Sequence, residues 1–167
     1  TPVPAHLSAY WSQMEPKIPE GGRLLSPYRI LDLAGYAGVF CTKLLADYGA
    51  DVLKVEPPAG DPGRSRGPFL EDDPHPERST YFLFYNTNKK SVTLNLESDS
   101  GRDIFRRLAA KADVVVEGFP VGYLKGLGLD YDSLKETNPG LVMASVTPFG
   151  QSGPWSNYKS SDLVAMA

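Results

Sequence analysis

The residues best suited to chemistry are a glycine-containing turn, residues 32–38, and an acid that follows it in the chain, Glu56. Gly35 and Gly38 permit a tight turn and a close approach of a ligand to the backbone. A carboxylate at the end of the next strand can accept hydrogen bonds from a ribose. The turn lacks the G-x-G-x-x-G spacing of dinucleotide sites, however, so its glycines only weakly favour a dinucleotide ligand.

This turn is predicted to join a strand to a helix. Residues 30–33 form an apolar run typical of a strand that is buried on both faces. Residues 39–48 carry apolar side chains at helical spacing, and Gly49 follows where a helix-terminating glycine is expected. Val52, Leu53 and Val55 are predicted to form a second strand, which ends at Glu56. Two parallel strands and a crossover helix are therefore predicted, with the first turn facing a ligand.

Strands and helices alternate through the rest of the chain, which predicts an α/β domain with a mainly parallel sheet. Residues 80–85 suit either a short strand or a short helix. Asp99 or Ser100 is expected to cap a helix that ends near Lys111. The side chains of this helix expected to point inward are Ile104, Phe105 and Leu108. Further strands are predicted at residues 91–96, 113–116 and 141–146, and further helical segments at 123–128, 131–137 and 163–167.

The first part of the chain reads differently from the rest. Residues 1–26 contain several prolines and a Gly-Gly pair, which predict an extended lead-in. Tyr10, Trp11 and Met14 are candidates for one short helix packed on the domain. Residues 27–167 are predicted to be the N-terminal part of a larger domain, because the last apolar segment stops without a helix-ending signal.

Composition limits the classes of function. Of 167 residues, 41% are hydrophobic, and no apolar run could span a bilayer, so no membrane partner is expected. The net charge of −3 argues against a nucleic-acid partner. The lone cysteine, Cys41, fits a cytoplasmic protein and is expected to be a packed thiol rather than a nucleophile. Four basic residues in predicted loops would suit a small polyanionic ligand: Arg64, Arg66, Lys89 and Lys90.

One family resemblance is local. Residues 32–38 resemble the first motif of the S-adenosylmethionine-dependent methyltransferases, in which Glu56 would hold the ribose. The likeness weakens after Glu56, where those enzymes continue with a helix. This chain continues instead with Pro-Pro-Ala-Gly-Asp-Pro-Gly-Arg. A methyltransferase therefore remains an alternative that rests on about 25 residues near one glycine turn.

A second resemblance extends from Leu24 to the end of the chain. The sequence resembles the class III coenzyme A transferases (the CaiB/BaiF type), which include formyl-CoA and carnitine CoA-transferases and the α-methylacyl-CoA racemases. The matching blocks occur in the family's order. They are residues 30–33, 44–58, 60–61 with Arg64, 86–92, 112–119, 127–129, 138–142, 144–147 and 149–154.

The resemblance implies a fold, an assembly and a reaction. Members have a Rossmann-like large domain, a mainly parallel sheet with helices on both faces, which is incomplete in this chain, and they form interlocked homodimers. They transfer CoA from an acyl-CoA to a carboxylic acid, so both are expected partners, with CoA as a substrate and no tightly bound cofactor or metal. An aspartate attacks the thioester, giving a mixed anhydride and then an aspartyl-CoA thioester. That aspartate is expected beyond residue 167, so no catalytic residue is assigned here, and Asp162 is expected to cap or precede a helix.

Several residues are implied to contact CoA. They are Tyr36, Ala37 and Gly38 of the glycine turn, Arg64, Phe119, Lys125 and Lys159. Lys125 stands where formyl-CoA transferase-like members have an arginine, and Gly118 replaces the family's usual asparagine. The turn is also one residue shorter and lacks the family's proline, which indicates an altered acyl pocket or a diverged copy. Three residues are expected to support the scaffold rather than bind substrate: Asn86, Asn88 and Lys89.

Two alternatives to a transferase remain open. The family's racemases carry a histidine where this chain has Ser161, and serine is a poor base for removing an α-proton, so a racemase is disfavoured. The polypeptide could also be an inactive fragment, a structural or dimerisation piece. It would then lack the nucleophile and part of the expected sheet.

Overall fold

The computed structural model describes residues 22–166, which form one five-stranded sheet with helices around it. The strands are β1 (Arg29–Leu33), β2 (Asp51–Glu56), β3 (Lys90–Thr93), β4 (Val114–Glu117) and β5 (Val142–Ser145). All neighbouring pairs are parallel, in the order β3-β2-β1-β4-β5. This is the strand order of a Rossmann-type sheet, so the predicted fold class is confirmed. The predicted helix around Tyr10, Trp11 and Met14 lies outside the described residues, as does most of the lead-in.

The described helices are short. They are α1 (Val39–Asp47), α2 (Thr80–Tyr85), α3 (Asp99–Ala109), α4 (Tyr123–Gly126), α5 (Tyr131–Lys135) and α6 (Asp162–Met166). Two 3₁₀ turns, Pro62–Ser65 and Leu70–Asp72, lie in the long loop between β2 and α2. Among residues 22–166, no helix combines the length and the apolar character that crossing a bilayer requires. Residues 80–85 are helical, with the hydroxyl of Ser79 accepting a hydrogen bond from the N–H of Phe82 at 3.1 Å.

Helices cover both faces of the sheet, as predicted. Successive residues of a strand point to opposite faces, so each strand supplies two separate cores. Leu31 and Val115 share one buried cluster with Phe105 of α3. Ile30 shares the other with Ala46 of α1. The glycine turn therefore leads from the centre of the sheet into a helix that packs on one face.

Helix α1 packs on the sheet through small residues. Thr42 and Ala46 are buried, whereas Phe40 and Leu44 are 50% and 40% exposed. Small side chains let the helix lie close to the strands, so its larger apolar residues face outward. Cys41 is also exposed, and the prediction of a packed thiol is wrong.

Helix α3 starts and packs differently from the prediction. Its N-terminal cap is Ser98, not Asp99 or Ser100 as predicted. The Ser98 hydroxyl accepts a hydrogen bond from the N–H of Gly101 at 3.1 Å. Phe105 is fully buried, as predicted, but Ile104 is 44% exposed. A one-residue step around a helix rotates a side chain by about 100°, so Ile104 points away from the sheet when Phe105 faces it.

Candidate active site at the carboxyl edge of the sheet

Three strands carry buried carboxylates close to one edge of the sheet. Asp32 in β1, Glu56 at the end of β2 and Glu117 at the end of β4 are 0%, 3% and 2% exposed. The carboxyl ends of parallel strands meet at the same edge, and the strand order reverses between β1 and β4. Ligands of open α/β sheets bind at such a reversal point. Because buried carboxylates need partners, their contacts reveal how this edge is built.

The glycine turn after β1 is held by short contacts. Oδ1 of Asp32 accepts a hydrogen bond from the N–H of Ala34 at 2.9 Å. The N–H of Val39 donates to the carbonyl of Gly35 at 3.0 Å. A Cβ atom on Gly38 would lie 2.8 Å from the Cβ of Ala34, closer than real Cβ contacts allow. Glycine is therefore required at this position, where the chain enters α1.

The turn after β4 meets the turn after β1. A Cβ atom on Gly118 would lie 3.3 Å from the backbone nitrogen of Gly35. The Glu117 carboxylate accepts hydrogen bonds from the N–H of Phe119 at 2.7 Å and from the Gln151 amide at 3.1 Å. Glu117 thus ties the loop after β5 to the loop after β4.

A buried lysine joins three elements behind the glycine turn. Lys89 Nζ lies 2.8 Å from Oδ2 of Asp32 and donates to Thr42 Oγ1 at 2.8 Å, to the Val39 carbonyl at 3.2 Å and to the Asn86 amide oxygen at 3.1 Å. Its side chain is 1% exposed. Burial lowers the pKa of Lys89, and the Asp32 carboxylate opposes that shift. These contacts support the expected scaffold role of Lys89 and Asn86.

The loop after β2 is fixed by a bidentate ion pair. Arg64 donates from Nε and Nη2 to the two oxygens of Glu56 at 2.7 and 2.8 Å, and from Nη1 to Glu77 at 2.7 Å. Burial alone would raise the pKa of Glu56, but hydrogen bonds from Arg64, from the Ser91 hydroxyl and from the Asp61 N–H outweigh it and lower that pKa to about 2.

These contacts bear on the expected role of Arg64 as a phosphate ligand. Its guanidinium also lies 3.8 Å from the ring centroid of Phe82, and its side chain is 17% exposed. Next to it, Lys54, itself 2% exposed, pairs with Asp61 at 2.7 Å. Arg64 therefore serves first to order the loop, and phosphate binding by it stays a prediction.

A small apolar cavity opens beside the ends of β1 and β2. Its volume is about 110 Å³, and its apolar lining includes Leu33, Val55, Leu94, Leu96, Phe119 and Tyr123. The rings of Phe119 and Tyr123 are stacked with centroids 4.6 Å apart at 30°. The Tyr123 hydroxyl donates to the carboxylate of Glu97, which raises the pKa of Tyr123 to about 12. A flat ring fits such an apolar, aromatic wall.

A larger cleft opens beside Glu117, which forms part of its lining. Its volume is about 520 Å³, and it is lined by polar residues that include Lys125, Asp130, Ser145 and Gln151. Lys125 belongs to α4 and is exposed, so its ammonium group is accessible to a ligand in this cleft.

The remaining predicted contacts lie in three places. Tyr36 and Ala37 are exposed at the glycine turn, and Gly38 is buried beneath them. Phe119 and Lys125 line the two neighbouring cavities. Lys159 is exposed in the segment before α6 and lines neither cavity. The structure therefore brings most of the predicted contacts to the carboxyl edge, and Lys159 is not part of either cavity there.

Sequence reasoning missed the buried charges Asp32, Lys54 and Glu117 as structural groups of this edge. A signal was present, because a charged residue inside or at the end of a run suited to a strand buried on both faces is unusual. Asp32 and Glu117 have partners far away in the sequence, Lys89 and Gln151. Lys54 pairs with the nearby Asp61, in the loop that follows its strand.

Comparison with known proteins identifies relatives of this chain. The family model described as CoA-transferase family III matches residues 25–167. Over 146 residues, the chain is 44% identical to succinyl-CoA:(R)-benzylsuccinate CoA-transferase subunit BbsE of Thauera aromatica, covering 87% of this chain and 36% of that protein. It is 41% identical over 150 residues to human succinyl-CoA:glutarate CoA-transferase, covering 89% of this chain and 32% of that protein.

Solved structures of the same family also resemble this chain. A CAIB/BAIF family protein from Brucella suis superposes with a TM-score of 0.77 at 40% identity, covering 85% of this chain and 38% of that one. The chain thus spans about a third of the length of these relatives.

Proposed function

The chain belongs to CoA-transferase family III, and we propose that the complete gene product transfers coenzyme A from an acyl-CoA to a carboxylic acid. The carboxyl edge of the sheet carries this proposal. There, a glycine turn with exposed backbone, an apolar aromatic cavity and a cleft with an accessible lysine adjoin one another. These are the three chemical environments that a thioester, an adenine ring and phosphates require.

We assign each part of CoA to one of these environments. The adenine ring binds in the cavity lined by Phe119 and Tyr123, whose stacked rings offer a flat apolar wall. Lys125 binds a phosphate from the neighbouring cleft. The thioester lies at the glycine turn, where Tyr36 and Ala37 are exposed. Lys159 and Arg64 are secondary candidates for phosphate contacts.

The proposed chemistry uses an aspartate from beyond residue 167. Its carboxylate attacks the thioester carbonyl and expels the CoA thiolate, which leaves a mixed anhydride. The thiolate attacks the aspartyl carbonyl, forming an aspartyl-CoA thioester and releasing the donor acid. The acceptor carboxylate repeats these two steps in reverse order, so the aspartate is regenerated and the acceptor leaves as its CoA ester. The described residues bind and orient CoA, which enters as a substrate.

The names of relatives support a class of acid. The Thauera and human proteins are both named for succinyl-CoA as donor and for a dicarboxylic acid as acceptor. We propose that the substrates of this protein are also dicarboxylic acids. We further propose that the protein acts in the cytoplasm as a homodimer. Exposed apolar side chains on α1 and α2, among them Phe40, Leu44 and Phe84, are consistent with a further protein surface covering them.

Hydroxylamine trapping tests the mechanism. The complete gene product is incubated with succinyl-CoA and hydroxylamine, and its peptides are mapped by mass spectrometry, with a control lacking succinyl-CoA. A hydroxamate on one aspartate beyond residue 167, seen only with succinyl-CoA, is the expected result. A protein that gives no hydroxamate, does not bind CoA and binds S-adenosylmethionine would be a methyltransferase instead.

A further inference from the structure

Beside the glycine turn, an arginine lies against two tyrosine rings and has no acidic partner among residues 22–166. The Arg66 guanidinium carbon lies 4.7 Å from the ring centroid of Tyr81 and 5.3 Å from that of Tyr36. The two rings contact each other edge to face, with centroids 5.7 Å apart. Arg66 and Tyr36 are both exposed, so one side of this group is open.

The backbone also holds Arg66 in position. Its N–H donates to the Gly63 carbonyl at 3.1 Å, where it ends the 3₁₀ turn Pro62–Ser65. Its carbonyl accepts a hydrogen bond from the buried hydroxyl of Ser79, just before α2. The side chain is therefore presented from an ordered segment, and changing it leaves these backbone contacts intact.

Arg66 differs from the other arginines of this loop. Arg64 pairs with Glu56 and Glu77, and Arg78 pairs with Glu71 and Asp73. Within residues 22–166, the Arg66 side chain has neither an ion pair nor a hydrogen bond. A guanidinium held against aromatic rings by a cation–π contact keeps its N–H donors available to bind a carboxylate at two points.

We propose that Arg66, held against Tyr36 and Tyr81, binds the distal carboxylate of a dicarboxylic substrate and thereby selects dicarboxylic over monocarboxylic acyl groups. This assignment rests on the proposed function, because Tyr36 belongs to the turn at which the thioester is placed. The tyrosine rings pack against the hydrocarbon part of the substrate, and the guanidinium pairs with its far end. Tyr36 lies in the glycine turn, so its contact with Arg66 places the guanidinium beside that turn.

A CoA phosphate is another anion that this guanidinium could bind, and kinetics of the complete gene product separate the two. In the proposed two-step exchange, kcat/KM for the donor reports only the donor half-reaction. Succinyl-CoA carries the distal carboxylate, whereas butyryl-CoA has a methyl group in its place. Desulfo-CoA, used as a competitive inhibitor, carries the phosphates without any acyl group.

The expected result is selective for the carboxylate. In Arg66→Gln, kcat/KM for succinyl-CoA falls roughly 10- to 100-fold, as for loss of a charged hydrogen-bonded pair. The kcat/KM for butyryl-CoA and the Ki of desulfo-CoA stay within about twofold of the wild-type values, a much smaller change than that for succinyl-CoA. Arg66→Lys, which keeps the charge but loses the planar stacking group, gives an intermediate loss. Arg107→Gln, an exposed arginine on α3, is the control and changes none of these values.

Two results would overturn the assignment. An unchanged kcat/KM for succinyl-CoA in Arg66→Gln would mean that Arg66 does not recognise the substrate. A Ki for desulfo-CoA that rises in parallel with the loss would mean that Arg66 binds a CoA phosphate. A wild-type enzyme that transfers CoA from no acyl-CoA at all would refute the proposed function itself, and this assignment with it.

Discussion

The ammonium nitrogen of Lys89 lies 2.8 Å from Oδ2 of Asp32, although 57 residues separate the two in the chain. Both side chains are almost completely buried, at 1% and 0% exposure. The pair connects the loop before β3 to the strand that leads into the glycine turn. The shape of the turn, and of any thioester site built on it, therefore depends on a residue that contacts no predicted ligand.

Removing Lys89 is expected to destabilise the protein strongly. Lys89→Ala leaves the Asp32 carboxylate buried without its cation, which costs about 3 to 5 kcal/mol. Lys90→Ala is the matched control, because Lys90 pairs with Asp51 at the surface and contributes no more than about 1 kcal/mol. Denaturant unfolding of the complete gene product measures both. Equal midpoints for the two variants would contradict the role given to Lys89.

The Glu56–Arg64 pair predicts a dependence of stability on pH. The pKa of Glu56 is about 2 in the folded state against a usual 4.5, so its stabilisation is complete above pH 4.5 and is lost as the pH falls toward 2. Glu56→Gln should lower the free energy of unfolding at pH 7 by about 3 kcal/mol, and the difference from wild type should shrink on acidification.

The control for this pair is Glu77→Gln. Glu77 contacts the same arginine but is 70% exposed, so its loss should cost less than about 1 kcal/mol. Unfolding curves measured between pH 7 and acid conditions compare the stabilities of wild type, Glu56→Gln and Glu77→Gln. A constant difference between wild type and Glu56→Gln over the whole pH range would argue against the lowered pKa.

Glycine is expected to be essential at position 38 but not at position 35. Gly38→Ala introduces a Cβ atom 2.8 Å from Ala34 Cβ and 3.3 Å from Val146 Cγ2, and such overpacking costs about 1 to 3 kcal/mol. A Cβ atom on Gly35 meets no atom within 4 Å, so Gly35→Ala should be nearly neutral. Thermal unfolding ranks the two variants, and the reverse order would disprove the packing of the turn described above.

Lys125 is predicted to bind a phosphate of CoA. Lys125→Ala should raise the Ki of desulfo-CoA about tenfold, whereas Lys125→Arg should retain tight binding because it keeps the charge. Lys111→Ala is the control, since Lys111 is an exposed lysine that precedes β4 at the opposite edge of the sheet. Inhibition measured at low and high salt should also lose part of its salt dependence in Lys125→Ala. Equal Ki values for Lys125→Ala and wild type would remove Lys125 from the site.

The alternation of strands and helices could be predicted from the sequence because it depends on local patterns. Each of these patterns spans only a few residues. The strand at residues 30–33, the glycine turn after it and the helix end at Gly49 all lie where they were expected. Local periodicity carries no information on which strands pair, so it could not predict the strand order. The observed order agrees instead with the Rossmann-like fold that the family resemblance implied.

Side-chain details required the fold itself. Cys41 and Phe40 are exposed because the opposite side of α1 lies on the sheet. That side carries the small residues Thr42 and Ala46 rather than the larger apolar side chains of the helix. The pairing of Lys89 with Asp32 and the contact of Arg66 with the rings of Tyr36 and Tyr81 join segments that are distant in the sequence. Contacts of this kind depend on the relative placement of whole elements, which local propensities do not determine.

Label exchange tests the central claim most directly. The complete gene product is incubated with unlabelled succinyl-CoA and ¹³C-labelled succinate, and the CoA ester is analysed by mass spectrometry. Transfer of CoA between carboxylates predicts enzyme-dependent appearance of labelled succinyl-CoA while total thioester stays constant. Release of free CoA without label in the remaining ester, or no change in the ester at all, would contradict the account.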